Sequence, residues 1–197
     1  EASDQIKSSW TALHDELDVI NELKIPRWTQ YDPELPIELH GFCDASENAF
    51  AAVIYSRVTD RNGIHHITFL TAKTKVAPLK NKHTLPRLEL AGALLLSKLM
   101  SDTIKALELP NITTYYWCDS MITLAWIQKE PLTWQTFVAN RVAEIQKLTN
   151  RCNWNYIKSA DNPADVASRG SSPLKLKSDN QWWTGPEWLN KASKNWP

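Results

Sequence analysis

The sequence predicts an α/β domain, with a five-stranded mixed sheet of three antiparallel strands and two parallel ones, flanked by helices. Three observations carry this expectation. Strand-like runs cluster between residues 38 and 73, and Asp60-Arg61-Asn62-Gly63 joins the second to the third, Asn-Gly being the strongest short hairpin signal. Beyond residue 84, helical and strand-like segments alternate, the pattern of a parallel half. The composition, 43% apolar and 22% charged, is that of a globular chain. At 197 residues it needs neither a disulfide nor a structural zinc to fold.

The elements follow in order. Ile6, Trp10, Leu13, Leu17 and Ile20 recur at spacings of four and three, so a helix opens the chain, with Ser3 or Asp4 as its cap and an acidic outer face. Such a stripe needs a partner, within this domain or beyond it. Pro26, Pro33 and Pro36 mark a linker. Strands are expected over Glu38 to Asp44, Ala49 to Val58 and Ile64 to Lys73. A long helix starts near Thr84, with Pro86 in its first turn, and runs to about Leu107. A buried strand, Thr113 to Cys118, leads to a helix from Ser120 to Gln128, stopped by Pro131. Thr133 caps the next helix, which keeps Trp134, Val138, Arg141, Ile145 and Leu148 on one face. Cys152 to Ile157 is the last strand. Asn162 and Pro163 then start a short helix that Gly170 ends. Three units result: residues 1–33, a helix and linker; 34–170, the domain proper; and 171–197, a Trp-rich extension without periodicity.

Basic and acidic residues balance at 22 each, so a polyanionic partner has to be held by a local patch. No apolar run approaches 18 residues, which excludes a membrane span, and the first residues have neither the basic cap nor the apolar core of a secretion signal. Cys43, Cys118 and Cys152 form no metal-binding spacing; reduced thiols in an intracellular, cytoplasmic protein are expected. Of the ten Trp, Trp117, Trp134 and Trp154 are assigned to the core, and Trp182, Trp183 and Trp188 to clamping the tail onto the body.

Four acids fall in unusual places. Asp44 ends the first strand, Asp119 ends the fourth, Glu89 lies in the first turns of the long helix, and Asp165 is near the start of the last one. Singly, each suits a turn, a cap or a helix N-terminus. Together they gather at the sheet edge where strand C-termini and helix N-termini meet. Four converging carboxylates cannot all stay ionised without cations, and oxygen-only ligands favour Mg²⁺, with Mn²⁺ as the alternative. Two such ions about 4 Å apart cleave phosphodiesters, one activating water and the other stabilising the leaving oxygen. The reading requires all four acids to share one pocket and none to be neutralised by a guanidinium.

The order Asp, Glu, Asp, Asp on strand, helix, strand and helix resembles the ribonuclease H family. Within it the chain looks most like the ribonuclease H region of BEL/Pao-type LTR-retrotransposon polyproteins. The matching stretches are FCDAS, LPRLELAGALLL, YYWCDS, NPADVASRG and WWTGPEWL, spanning about residues 37 to 190. Residues 1–33, ending IPRW, resemble the sequence that follows the polymerase part of the reverse transcriptase, and the tail resembles the segment leading toward integrase. The resemblance implies a ribonuclease H-like fold. It also implies an endonuclease cutting the RNA strand of an RNA/DNA hybrid with two Mg²⁺ ions, beside a polymerase domain and inside a virus-like particle. Asp44, Glu89, Asp119 and Asp165 become the metal ligands, Asp44 bridging both ions, and Ser46 lies beside the hybrid backbone. The chain departs from the family in two ways. The loop Lys158-Ser159-Ala160-Asp161 lacks the mobile His that many members place before the last acid, and no separate basic helix precedes the Thr133 helix.

Between Asp60 and Glu89 the chain has no acid but carries Arg61, Lys73, Lys75, Lys80, Lys82 and Arg87. Lys80, Lys82 and Arg87 are the expected phosphate contacts. Ser46, Asn48, Ser120 and Asn162 are short polar groups placed to read the RNA 2′-OH. The alternative reading is a catalytically inactive binding or connection module of the same fold. An integrase or transposase would have its Glu last, and an aspartic protease would need Asp-Thr/Ser-Gly.

Overall fold

The computed structural model describes residues 3–80, 83–109 and 111–197. The sheet is formed by β1 (Ile37–Ala45), β2 (Ala49–Thr59), β3 (His65–Val76), β4 (Thr113–Cys118) and β5 (Trp154–Tyr156), in the order β3-β2-β1-β4-β5. β1 and β2 pair antiparallel, as do β2 and β3, while β4 runs parallel to both β1 and β5. The expected three-plus-two arrangement is therefore present, and the Asn62-Gly63 turn closes the second hairpin with Gly63 at φ +79°.

Both faces of the sheet are covered, so its central strands are buried on both sides, as strands between two layers are. Along β1, Leu39 and Cys43 point to one face, where α2 (Leu85–Leu107), α3 (Met121–Gln128) and α4 (Thr136–Leu148) pack. Phe42 points to the other, under α5 (Ala164–Arg169) and the tail. α2 lies very close on β1. A Cβ at Gly41 would stand 2.5 Å from Leu96 Cδ1, and one at Gly92 would stand 3.0 Å from the Asp44 carbonyl oxygen. Pro131–Thr133 forms a 3-10 turn, so α4 starts two residues later than a Thr133 cap suggested, with Gln135 in the capping position. Pro163 rather than Asn162 stands immediately before α5, and Asn162 Oδ1 accepts from Ala164 N at 3.2 Å one position farther back.

The N-terminal stripe behaves differently. α1 (Asp4–Glu16) gives way to a 3-10 turn at Leu17–Glu22, and Ile6, Trp10, Leu13, Leu17 and Ile20 are all exposed. The segment touches the tail, where Lys177 pairs with Glu22 and Leu174 N donates to Glu16 Oε2 at 3.4 Å. Among the described residues no helix is long and apolar enough to cross a membrane.

The tail is a layer of the fold. It forms α6 (Pro173–Ser178), α7 (Asn180–Thr184) and two 3-10 turns, elements too short to show a period. Trp182, Trp188 and Leu189 are buried against Phe42, Tyr55 and Trp117. Tyr55 Oη donates to Trp182 O at 2.6 Å. Arg57, itself buried, donates to Leu189 O at 2.8 Å, to Lys191 O at 3.0 Å and to Glu38 Oε2 at 2.6 Å, and lies 5.1 Å from the Trp196 ring centroid. Trp117 and Trp154 are buried as expected, whereas Trp134 is half-buried beside an open groove: Pro131 ends α3 and the 3-10 turn swings the indole to the rim.

Two consequences are measurable. Trp188 fills the space between Phe42, Trp117 and Trp196, with its ring centroid 4.6 Å from that of Trp117. Trp188→Ala should cost about 3–5 kcal/mol in urea unfolding, and a loss under about 1 kcal/mol would show that the tail is not part of the core. Beside it, His40 is fully buried: Nδ1 accepts from Trp117 Nε1 at 3.2 Å, and Nε2 lies 3.4 Å from Glu38 Oε2. Burial holds the imidazole below its ordinary pKa, against the pull of Glu38. The unfolded chain then takes up a proton near pH 6.5 that the folded chain resists, so stability is full above that pH and falls below it. Glu38 acts in the same direction at lower pH. Burial raises its carboxyl, but hydrogen bonds from His40 and Arg57 outweigh this and hold it below the usual range. The urea midpoint should fall from pH 7.5 to 5.5, and fall less in His40→Gln; equal slopes would place the sensitivity elsewhere.

Candidate active site

The parallel register of β1 and β4 sets Cys43 opposite Cys118, so the residues that follow, Asp44 and Asp119, leave neighbouring strands side by side. Ile157 N bonds Cys118 O at 3.1 Å, which turns the chain after β5 toward the same edge. The close crossing at Gly92 sets the first turns of α2, with Glu89, at the end of β1. Asn162 Nδ2 donates to Cys43 O at 3.0 Å and fastens α5, with Asp165, beside Asp44. The structure thus brings all four acids to one edge of the sheet.

Each acid has a local partner. Ser168 Oγ donates to Asp44, Ser120 Oγ donates to Glu89 Oε2 at 2.5 Å, and Ser159 Oγ donates to Asp119. Asp165 is held by Arg169, whose Nε donates to Oδ1 at 2.6 Å. This last contact departs from the expectation that no guanidinium meets the quartet. Its cause is local: the two residues stand one helical turn apart on α5, the i,i+4 spacing at which opposite charges attract. The pair is exposed, with 65% of the Arg169 and 34% of the Asp165 side chain accessible.

The carboxylates feel one another. Burial raises the Asp44 carboxyl, the Ser168 hydrogen bond lowers it, and the charges of Asp119 and Asp165 raise it again, leaving it at about 6. Burial also raises Glu89, with Ser120 opposing and Asp119 adding. The Arg169 guanidinium is pushed up by its bond to Asp165 and further by Asp44 and Asp119. With the side chains as they stand, no group of three or more His, Cys, Asp or Glu among the described residues is arranged to hold a metal ion. The donor chemistry nevertheless fits a hard divalent cation. The set is all carboxylate and mutually repelling, and its side-chain partners are three serine hydroxyls and one exposed guanidinium.

The shorter polar residues divide. Asn162 is only 2% exposed and both ends of its amide are engaged by backbone, so the role the geometry shows is fastening α5. Ser120 is buried as the cap of α3, accepting from Thr123 N at 3.2 Å while donating to Glu89. Ser46 donates to Ser168 O at 2.7 Å and accepts from Asn48 N at 3.1 Å, tying the β1–β2 turn to α5. Asn48 is exposed on that turn. Of the basic run, Lys73, Lys75 and Lys80 are exposed, Arg87 lies at the start of α2, Arg61 is paired with Glu34, and Lys82 lies outside the described residues. Ser159, Ser168 and Arg169 were not singled out from the sequence. Only Arg169 carries a readable signal there, its spacing from Asp165.

No curated protein matches the chain. Among solved structures, the N-terminal ribonuclease H domain of a Mycobacterium tuberculosis protein is 12% identical, with a TM-score of 0.39, covering 74% of this chain and 100% of that one. LC11 ribonuclease H1, crystallised with an RNA/DNA hybrid, is 17% identical with a TM-score of 0.43, covering 71% and 99%. The ribonuclease H domain of the foamy virus PFV is 14% identical with a TM-score of 0.36, covering 76% and 94%. The family model described as the Pao retrotransposon-like RNaseH-like domain matches residues 1–120, a stretch that includes Asp44, Glu89 and Asp119. That match spans more than half of the sequence, and the chain belongs to this family.

Proposed function

We propose that the domain is a ribonuclease H that hydrolyses the RNA strand of RNA/DNA hybrids during retrotransposon reverse transcription, working beside the polymerase domain of its polyprotein. One observation carries the reading: the register of β1 and β4, the close crossing of α2 and the Asn162 bond to Cys43 O gather Asp44, Glu89, Asp119 and Asp165 at one edge of the sheet, where burial and the neighbouring carboxylates raise Asp44. Like charges held together at a sheet edge cost stability, and such perturbed groups concentrate at functional sites.

Asp44, Glu89, Asp119 and Asp165 would hold the divalent ions, Mg²⁺ or Mn²⁺ by the chemistry of the oxygen donors. Two bound ions would supply an activated water and a stabilised leaving oxygen. The chain's own residues orient and charge the site. Ser168, Ser120 and Ser159 each donate to one oxygen of Asp44, Glu89 and Asp119 respectively and so orient these carboxylates. Asn162 keeps α5 against β1. Lys80, Lys82 and Arg87 would meet phosphates, and Ser46 and Asn48 stand on the turn nearest the Asp44 end of β1.

The Asp165–Arg169 pair favours a second reading, a binding or connection module that does not cleave. An exposed i,i+4 pair is worth only about 0.3–0.5 kcal/mol, which a divalent cation readily outcompetes. A labelled RNA/DNA hybrid incubated with the protein and Mg²⁺ should yield products, and Asp119→Asn should reduce them to background. Absence of any Mg²⁺-dependent product from the wild type selects the connection module. Arg169→Ala should lower the Mg²⁺ concentration giving half-maximal cleavage while leaving the urea midpoint close to wild type; a raised Mg²⁺ requirement would show that Arg169 supports the site rather than competing for it.

A further inference from the structure

Two apolar surfaces of the chain are left uncovered, and the charges beside them are opposite. The first is the stripe on α1 and the 3-10 turn that follows it. Trp10 is 63% exposed at its centre, with Ile6 before it and Leu13, Leu17 and Ile20 after it, the spacing of an anchoring helix face. Residues 4–22 carry five acids, Asp4, Asp15, Glu16, Asp18 and Glu22, against one lysine, Lys7. Glu16 and Glu22 are spent on the tail through Leu174 N and Lys177. Asp15 has only His14, at 3.7 Å, and Asp18 has no cationic partner among the described residues.

The second surface is a groove of about 470 Å³ between the β1–β2 turn, the end of β3 and the start of α2. Ala77 and Leu88 are its buried floor. Val76, Leu79 and Leu85 wall it, and Leu79 is 86% exposed. In the chain Lys75 precedes Val76 and Lys80 follows Leu79. Both lysines are exposed, and neither is in an ion pair among the described residues. One acid, Glu47, lies on the lining.

Exposed apolar surface on this scale marks a protein contact. Each surface supplies what the other lacks: a convex helix face among acids, and a concave groove among lysines. They do not meet within one chain, since no residue of α1 lines the groove and the segment is tied to the tail. A second copy brings both at once. Exchange in both directions about a two-fold axis closes the assembly, where a one-way contact would propagate as a filament.

We propose that two copies of the chain dimerise by reciprocal exchange, α1 of each lying in the groove of the other with Trp10 anchored between Val76, Leu79 and Leu85. An indole filling an apolar pocket is the kind of contact that dominates an interface. Ile6 and Leu13, about one turn to either side, cover the walls, and the acids of α1 face Lys75 and Lys80. Once the first helix is seated the second contact is intramolecular, so two modest contacts hold together. The dimer does not depend on reading the domain as a nuclease.

The test is sedimentation of the full chain, without hybrid or Mg²⁺, over about a hundredfold range of concentration. The wild type should pass from the 22.5 kDa monomer to twice that mass, and should associate less as salt rises. Trp10→Asp and Leu79→Glu should each stay at the monomer mass with the wild-type urea midpoint, because both side chains are exposed in the single chain. An equimolar mixture of the two variants should recover a dimer at least about tenfold weaker than the wild type, since one intact helix still meets one intact groove. A wild type that is monomeric throughout overturns the proposal and leaves the stripe to a different protein. Leu79→Glu dimerising like the wild type overturns it in favour of stripe against stripe, and a mixture that stays monomeric overturns the exchange. None of these outcomes bears on cleavage, which is measured separately with hybrid and Mg²⁺.

Discussion

The site depends on how closely one helix can lie on one strand. α2 passes over the C-terminal end of β1 at Gly92, where any Cβ would stand 3.0 Å from the Asp44 carbonyl oxygen, a buried backbone atom with little room to retreat. Farther back, Leu96 and Met100 occupy the space that a side chain at Gly41 would need. Two glycines, one on each element, thus set the spacing between helix and strand. Glu89 rides one turn ahead of Gly92 and is delivered to the strand end where Asp44 and Asp119 emerge. A larger separation would lift Glu89 away from Ser120, and the acid edge would lose its helix-borne member.

What that spacing assembles is electrostatically unfavourable by itself. Asp44 is buried and faces two other carboxylates, and its hydrogen bond from Ser168 only partly offsets them. The structure meets this cost with neutral donors: three serines, from α3, from the turn after β5 and from α5, each spend one hydroxyl on one acid. Arg169 is the single full charge in the arrangement, and it sits on the exposed side. The serines fix orientation without cancelling charge, whereas the guanidinium cancels charge but stays free to move into solvent.

Much of this was legible in the sequence because it rests on local rules. Asn62-Gly63 can hardly be other than a hairpin turn, and Thr84 with Pro86 announces the start of α2. The four acids stood out because strand ends and helix starts share one edge in such a sheet. What escaped was set by tertiary contacts. The tail has no period because α6 and α7 are six and five residues long. Its place is fixed by Arg57 and Tyr55, residues more than a hundred positions away that read as ordinary strand members. The α1 stripe has a clear period, yet the period says only that one side is apolar, and the body does not cover it. Trp134 was read as core from its spacing with Val138. The ring does pack against the core, but the Pro131 turn between α3 and α4 leaves it half-buried at the rim of a groove.

The two sets of tryptophans illustrate how one residue type is divided by its surroundings. On the tail side, Trp182 and Trp188 lie beneath backbone that Arg57 and Tyr55 tie down, and Trp117 spends its N–H on His40. Their faces meet other rings, and nothing from outside can reach them. On the helix side, Trp126 and Trp134 meet edge-on, half-buried against the core at the rim of an open groove, with Lys129 over the Trp134 ring.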